Sequence, residues 1–247
     1  MAKIKKIVTA GPYQKIVLYS RGHRADSPRA RGAKRRACSE AQKRLNLKNS
    51  REMLKLILAA NFPVAGAGLV VTFTYRDDAI PPSKKQANSR MNEFRKLLRR
   101  ERKKRGESLV MVSNVEQHSA DGGRIHHHAV INATGDDFEL IRRCWKFGKV
   151  EIERMRVDKE KNWDTLAAYL TKEPPDELGR HGWSATRNCL RPEIETFTVS
   201  DDTTLQTPAG AHQISAERHA DEFASWEMIE FVWPRSGRAP RAKRRRR

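Results

Sequence analysis

The sequence has little cysteine and no long apolar run. Its three cysteines (Cys38, Cys144 and Cys189) are odd in number and lack metal-ligand spacing, which indicates free thiols in a reducing compartment. No apolar stretch approaches the ~18–20 residues of a membrane-spanning helix, and the N-terminus MAKIKKIV lacks the apolar core of a secretory signal. We therefore expect a cytoplasmic protein without a membrane span.

Acidic residues are also scarce relative to basic ones. The 247 residues include 50 Lys and Arg but only 30 Asp and Glu, a formal net charge of +20. Like charges at this density repel one another in a compact state, so a polyanionic partner is expected. Nucleic acid is the first candidate because binding phosphates releases counterions. An anionic membrane surface is the second.

The pattern of apolar residues predicts three regions. Residues 1–38 form a hairpin and a basic linker, residues 39–200 a main domain with a leading helix, and residues 201–247 a linker, an amphipathic helix over 215–232 and a basic tail. Residues 176–202 are expected to be irregular, with Trp183 and the segment 194–199 attached to the core.

The main domain is predicted to have the ferredoxin-like α+β fold. Its predicted strands cover 69–75, 109–116, 125–132 and 149–157, and its predicted helices cover 83–105, 134–148 and 162–173. The order strand, helix, strand, strand, helix, strand is the split βαβ pattern, an antiparallel sheet with helices on one face.

Three consecutive histidines in the stretch RIHHHAVIN are the strongest chemical signal. On a strand, His126 and His128 point to one face and His127 to the other. A hairpin through Gly122 and Gly123 would bring the Glu116 carboxylate beside them, and two imidazoles with one carboxylate suit a divalent cation. The alternatives are surface histidines and a solvated strand-end carboxylate. Weaker candidates for the third ligand are Glu139, Glu151 and Glu153.

Tyr169 lies in the predicted helix WDTLAAYLTKE, with Lys172 three residues later on the same helical side. A nearby cation favours the phenolate form, and a phenolate can attack phosphorus and hold it covalently. The alternative is a half-buried core tyrosine with a wet hydroxyl.

A dense set of cations on the helix over 83–105 is expected to contact DNA phosphates, together with one arginine before the histidine strand. These residues are Lys84, Lys85, Arg90, Arg95, Arg99, Arg100 and Arg124.

Together, these blocks resemble the HUH endonucleases (histidine, hydrophobe, histidine), and within them the replication-associated (Rep) proteins of rolling-circle plasmids and single-stranded DNA phages. The resemblance covers about 69–192 and rests on LVVTFTY, on RIHHHAVIN with Glu116 before it, and on AAYLTKE followed by GWSATRN. His127 departs from the family pattern, which has a hydrophobe at this position, so a one-residue slip of the strand would present His127 instead.

The resemblance implies a nicking enzyme that uses Mg²⁺ or Mn²⁺. It assigns metal binding to Glu116, His126 and His128, the nucleophile to Tyr169, and a supporting role to Lys172. It also implies single-stranded or hairpin origin DNA as substrate, a bacterial host cell, and a host DNA polymerase and helicase as partners, since no Walker-type phosphate loop occurs in the chain.

Three alternatives remain open at this point. A non-enzymatic basic nucleic-acid-binding protein explains the charge equally well. A relaxase or transposase of the HUH type shares the chemistry, and a metal-dependent hydrolase without covalent catalysis shares the metal. The sequence leaves the recognised DNA site, the oligomeric state and the role of the segment 215–232 undetermined.

Overall fold

The computed structural model describes residues 3–20, 40–117, 123–158, 163–172, 182–220 and 225–234. Several predicted features lie outside these ranges. They are the basic linker after Ser20, Cys38, the helix cap at Ser39, Gly122 in the hairpin connection, and the basic tail. Cys144 and Cys189 are buried free thiols.

The described residues form ten strands, four α-helices and one 3₁₀ turn (Asp77–Ala79). The helices are α1 (Glu40–Asn61), α2 (Lys84–Lys104), α3 (Phe138–Cys144) and α4 (Asp164–Leu170). The strands are β1 (Lys3–Ala10), β2 (Tyr13–Ser20), β3 (Gly68–Phe73), β4 (Met111–Glu116), β5 (His126–Asn132), β6 (Val150–Arg154), β7 (Trp183–Ala185), β8 (Glu193–Val199), β9 (His212–Ala220) and β10 (Ser225–Val232). Within this part of the chain, no helix is long and apolar enough to cross a membrane.

The central sheet confirms the predicted ferredoxin-like fold. Its strand order is β6-β3-β5-β4-β7, and each pair is antiparallel. The first four strands of this order are the split βαβ arrangement, with α2 and α3 as the connecting helices. The strand β7 is added at the edge beside β4.

The helices α2 and α3 cover one face of this sheet, as predicted. Met91, Phe94 and Leu98 form the buried stripe of α2, and the Phe94 ring packs edge-on against Phe73 of β3 at 4.7 Å. Ser83 caps the N-terminus of α2, accepting a hydrogen bond from the backbone N–H of Gln86. The opposite face of α2 carries its Lys and Arg residues.

The helices α1 and α4 pack on the other face of the central sheet, an addition to the expected one-sided arrangement. Their apolar residues share one cluster with Val112 of β4 and Val130 of β5. The helix α1 ends at Asn61, as the Asn-Phe-Pro sequence predicts, and the buried Phe62 follows. The central sheet is therefore covered on both faces.

A second antiparallel sheet packs on the far side of α1. Its order is β8-β1-β2-β10-β9, so it joins the start of the chain, the segment after the main domain and the last described residues. The predicted hairpin over residues 4–19 is confirmed as β1 and β2, and Ile194–Val199 lies within β8.

The predicted amphipathic helix over 215–232 is wrong, because this segment forms the hairpin of β9 and β10. The spacing of Phe223, Trp226 and Ile229 suits a helix, but Trp226 lies on one face of β10 and Ile229 on the other. The segment 203–211 packs over Ile229 through Leu205, whereas α1 covers part of the opposite face. A strand with cover on both faces loses the alternation that would identify it.

A buried group of charges joins this second sheet to the helices. The Lys55 ammonium of α1 lies 3.2 Å from the Glu230 carboxylate of β10 and 3.1 Å from the Asp164 carboxylate at the start of α4. Lys15 of β2 pairs with the same Glu230 at 2.9 Å. These ion pairs fix α4 relative to α1 and the second sheet.

Candidate metal and tyrosine site

The pairing of β4 with β5 places the candidate metal ligands on one face. Glu116 lies directly opposite His126, and Asn114 lies directly opposite His128. Paired residues project to the same side of an antiparallel sheet, so Glu116 is on the same side as both imidazoles. This is the face on which α1 and α4 pack.

Glu116, His126 and His128 converge closely enough to share one cation. The Glu116 carboxylate lies 3.1 Å from His128 Nε2 and 3.7 Å from His126 Nε2. One ligand atom from each residue falls within 4.8 Å of the others. Glu139, Glu151 and Glu153 do not belong to this group of three.

His127 points to the opposite face and is fully buried. Its Nε2 is 2.8 Å from the Tyr75 hydroxyl, and its ring packs against Trp145. Burial lowers the pKa of His127 to about 3, so its imidazole is neutral. The alternative register, with His127 facing the carboxylate, is therefore not the one that the chain adopts.

The protonation states suit cation binding. Burial, with a further contribution from His126, lowers the pKa of His128 to about 4, which leaves a neutral ring. Burial alone would raise the pKa of Glu116, but its contact with Lys172 and the nearby imidazoles hold that pKa below the ordinary value. Neutral imidazoles and an ionised carboxylate are the forms that bind divalent cations.

Tyr169 of α4 lies directly beside this group. Its hydroxyl is 3.0 Å from His128 Nδ1 and 3.2 Å from His128 Nε2, while its side is open to solvent at 40 % relative exposure. Burial raises the pKa of the Tyr169 phenol, with Lys172 opposing that rise and Glu116 adding to it. The hydroxyl is therefore protonated at neutral pH in the metal-free geometry.

The helix α1 holds α4 at both ends. Lys55 pairs with Asp164 at the start of α4, and Arg51 Nε donates to Thr171 Oγ1 just after its end, at 3.1 Å. These two contacts restrict both the tilt and the position of the helix that carries Tyr169.

Lys172 follows the end of α4 and contacts the site in a way that the sequence did not predict. Its ammonium forms an ion pair with the Glu116 carboxylate. It also lies 5.5 Å from the centre of the Tyr169 ring. Lys172 therefore acts on the carboxylate as well as on the phenol.

Two residues of the site were missed by the sequence analysis. Thr72 of β3 pairs with His128 across the sheet, and its Oγ1 lies 3.1 Å from His128 Nδ1. This contact orients the imidazole so that Nε2 faces Glu116. Asn114 lies opposite His128 on the other side. Thr72 stands inside LVVTFTY, where a polar residue on a buried strand is the only signal that could have identified it.

The donor set fits a divalent cation of the magnesium or manganese type. Two imidazole nitrogens and a carboxylate provide three ligands and leave positions open for substrate oxygens. In addition, Asn114 Oδ1 is buried without a hydrogen-bond partner in the described residues, on the same face as His128. A buried carbonyl oxygen of this kind requires a donor or a cation.

The cations expected to contact DNA are divided between two faces. Arg124 lies beside His126 and lines a groove of about 520 Å³ with it. The α2 cations lie on the opposite side of the sheet from Glu116 and the two imidazoles. Arg90 stacks over Tyr75 and Phe147, Arg100 pairs with Glu101, and Lys84 and Lys85 stand at the start of the helix.

Residues 68–174 match a family model whose description is replication-associated protein, of the ORF2 type. The matched range contains Glu116, His126, His128, Tyr169 and Lys172. This part of the chain is therefore similar to replication-associated proteins, which supports a role in DNA replication. No curated protein and no solved structure matches the chain.

Proposed function

We propose that the protein initiates rolling-circle replication by nicking single-stranded origin DNA through attack of Tyr169 on the scissile phosphate. The observation that supports this proposal best is the convergence of Tyr169 on the carboxylate and imidazole group. A tyrosine hydroxyl 3.0 Å from one of two imidazoles that share a carboxylate places a nucleophile beside a cation site.

Glu116, His126 and His128 would hold the divalent cation. When bound, this cation supplies polarisation of a non-bridging phosphate oxygen and neutralises charge that develops in the transition state. Thr72 orients the His128 ring for this role, and Lys172 maintains the ionised form of Glu116. Arg124, beside His126, is placed to contact a neighbouring phosphate of the same strand.

In the proposed step, Tyr169 Oη loses its proton and forms a bond to phosphorus. The bond from phosphorus to the 3′ oxygen breaks, and this oxygen takes up a proton to become a free 3′-hydroxyl. The product is a 5′-phosphotyrosyl link, which stores the bond energy needed to rejoin the strand later. The 3′-hydroxyl is the primer that a host DNA polymerase would extend after a helicase opens the duplex.

The test is covalent adduct formation with a single-stranded origin oligonucleotide in the presence of Mn²⁺. We expect Tyr169→Phe to abolish the adduct, a loss of more than about a thousandfold, and to leave DNA affinity within about twofold. Tyr19→Phe is the matched control because Tyr19 lies in β2 of the second sheet. Adduct formation is read on a denaturing gel, and the modified peptide is identified by mass spectrometry.

The outcomes separate the alternative functions. An adduct that persists in Tyr169→Phe would refute the assignment of the nucleophile. Cleavage without any adduct, unaffected by Tyr169→Phe, would indicate a metal-dependent hydrolase. Binding without cleavage in the wild type would indicate a non-enzymatic nucleic-acid-binding protein. A relaxase or transposase gives the same adduct and differs in the DNA sequence that it recognises.

A further inference from the structure

A second basic groove lies away from the candidate metal site. It runs between α2 and the turn that follows β7, and has a volume of about 700 Å³. Its cationic side chains are Arg95, Lys96, Arg99 and Lys103 of α2, with Arg187 facing them from the turn. Five positive charges in one groove are a typical phosphate-binding surface.

This groove lies on the opposite face of the central sheet from Glu116. Arg95 donates hydrogen bonds of 2.9 Å to Ser113 Oγ of β4 and Ser184 Oγ of β7, on the α2 side of the sheet. Ser108 and Leu109, which precede β4, line the groove, whereas Glu116 ends the same strand. At ~3.3 Å per residue, the two sites are roughly 25 Å apart along β4.

The charge of the groove is not neutralised within the described part of the protein. Lys96, Arg99 and Lys103 form no ion pair there. Arg95 is held by two neutral hydroxyls, and its Nε has no hydrogen-bond partner. Burial, together with the neighbouring Arg99, keeps the pKa of Arg95 below its ordinary value. An external anion would relieve this repulsion.

One carboxylate, that of Glu107, stands among the described lining residues of the groove. It accepts a hydrogen bond of 2.9 Å from the Thr134 hydroxyl, in the segment that follows β5. A single carboxylate held in this way leaves the groove with a large excess of positive charge.

The outer side of the same helix has a different arrangement. Arg100 and Lys104 both pair with Glu101, at 3.3 Å and 3.0 Å. The helix therefore neutralises cations on its outer side, whereas the described residues provide no ion pair for those in the groove. This contrast favours a ligand for the groove over a merely solvated basic face.

The groove has the chemistry of a phosphate-backbone contact rather than of a base-binding surface. None of its described lining residues is aromatic, and its other polar side chains include Asn92, Ser108, Thr186 and Asn188. Proteins that grip single strands use aromatic rings on which bases stack, whereas arginine, lysine, amide and hydroxyl groups contact phosphates of a duplex.

We propose that this groove binds the sugar-phosphate backbone of duplex DNA, at a distance from the strand that Tyr169 attacks. The choice of DNA rests on the proposed function, while the groove itself rests on its charge and lining. At 3.4 Å per base pair, a separation of roughly 25 Å corresponds to about seven base pairs. The groove would thus hold the duplex that flanks the nick.

The test compares two double variants with the same change of charge on the same helix. Arg99→Ala with Lys103→Ala removes two groove cations, and Arg100→Ala with Lys104→Ala removes two cations outside it. All four side chains are exposed, and alanine favours helix, so each variant is expected to fold. Affinity for a hairpin of about 20 base pairs is measured without divalent metal from 50 to 200 mM salt, the range over which phosphate contacts are most easily resolved.

Removing two phosphate contacts reduces the slope of log K against log salt by about 1.8. We therefore expect the gap in affinity between the wild type and the groove variant to shrink roughly tenfold across this salt range. The control variant should retain the slope of the wild type. Equal losses in both variants, or no loss in the groove variant, would overturn the proposal. So would a larger loss on single-stranded than on duplex DNA.

Adduct formation on a short single-stranded oligonucleotide is measured in parallel. It should be unchanged in both double variants, because the oligonucleotide is too short to reach the groove. A wild type that forms no adduct but shows the predicted difference in slope would refute the nicking function and leave the duplex-binding groove intact.

Discussion

Neighbouring histidines on one strand are expected to have opposite roles, which allows a sharp test of the site geometry. His126 faces the Glu116 carboxylate, with 19 % of its side chain exposed. His127 is fully buried on the other face and bonds the hydroxyl of Tyr75. The first substitution should therefore affect cation binding and the second should affect stability.

The magnitudes follow from these environments. His127→Ala leaves a core cavity and an unpaired Tyr75 hydroxyl, which together lower the free energy of unfolding by about 3 kcal/mol. For a chain of this size, such a loss lowers the melting temperature by roughly 6–12 °C. His126→Ala removes a partly exposed ring and should lower the free energy of unfolding by less than about 1 kcal/mol.

One assay measures both effects, namely thermal unfolding with and without Mn²⁺. A cation at a concentration about 100 times its Kd stabilises the folded state by about 2.7 kcal/mol, a rise of roughly 5–10 °C in melting temperature. We expect His127→Ala to start low but keep this rise, and to retain most cleavage. His126→Ala should start near the wild type and lose the rise, and His128→Ala should also lose metal-dependent cleavage. A metal response that disappears in His127→Ala and survives in His126→Ala would refute the assigned face.

Two further predictions concern stability away from the site. Asp137 and Arg102 form a buried ion pair at 2.6 Å; burial alone would raise the pKa of Asp137, but bonds from Thr134 and Arg102 keep it below its ordinary value. Asp137→Asn should therefore lower the free energy of unfolding by about 3–5 kcal/mol at pH 7. This difference should shrink as the pH falls below about 4, because protonation of the native carboxyl removes the same stabilisation; a difference independent of pH in urea titrations would contradict the pairing. Gly148→Ala should cost about 1–3 kcal/mol in the same titrations, because its Cβ would overlap the carbonyl oxygen of Thr74, and an unchanged midpoint would show that the chain relaxes there.

The central sheet could be predicted because its signals are local. Each strand of the split βαβ pattern is a short β-branched run, and α2 has both a cap at Ser83 and a stripe at Met91, Phe94 and Leu98. The histidine strand and Glu116 could be placed together since one short connection joins their strands and fixes which residues face each other.

The second sheet could not be predicted because its pairings are not local. Tyr19 lies opposite Trp226, about 200 residues away, and no feature of either segment specifies the other. Similarly, the contact of Lys172 with Glu116 depends on how the chain leaves α4, not on helical spacing. The roles of Thr72 and Asn114 depend on strand register, which the apolar pattern alone does not identify.

The strand order of the second sheet has a consequence for how the protein is made. The strand β2 pairs on one edge with β1, its neighbour in sequence, but its other partner is β10, the last described strand. At roughly 5–20 residues per second, a ribosome needs roughly 10–40 s to synthesise the ~200 residues between them. During this interval the early hairpin has an unpaired edge, and Lys55 lacks its Glu230 partner. The ion pairs that fix the tyrosine helix are therefore completed only near the end of synthesis, so a truncated chain lacks them.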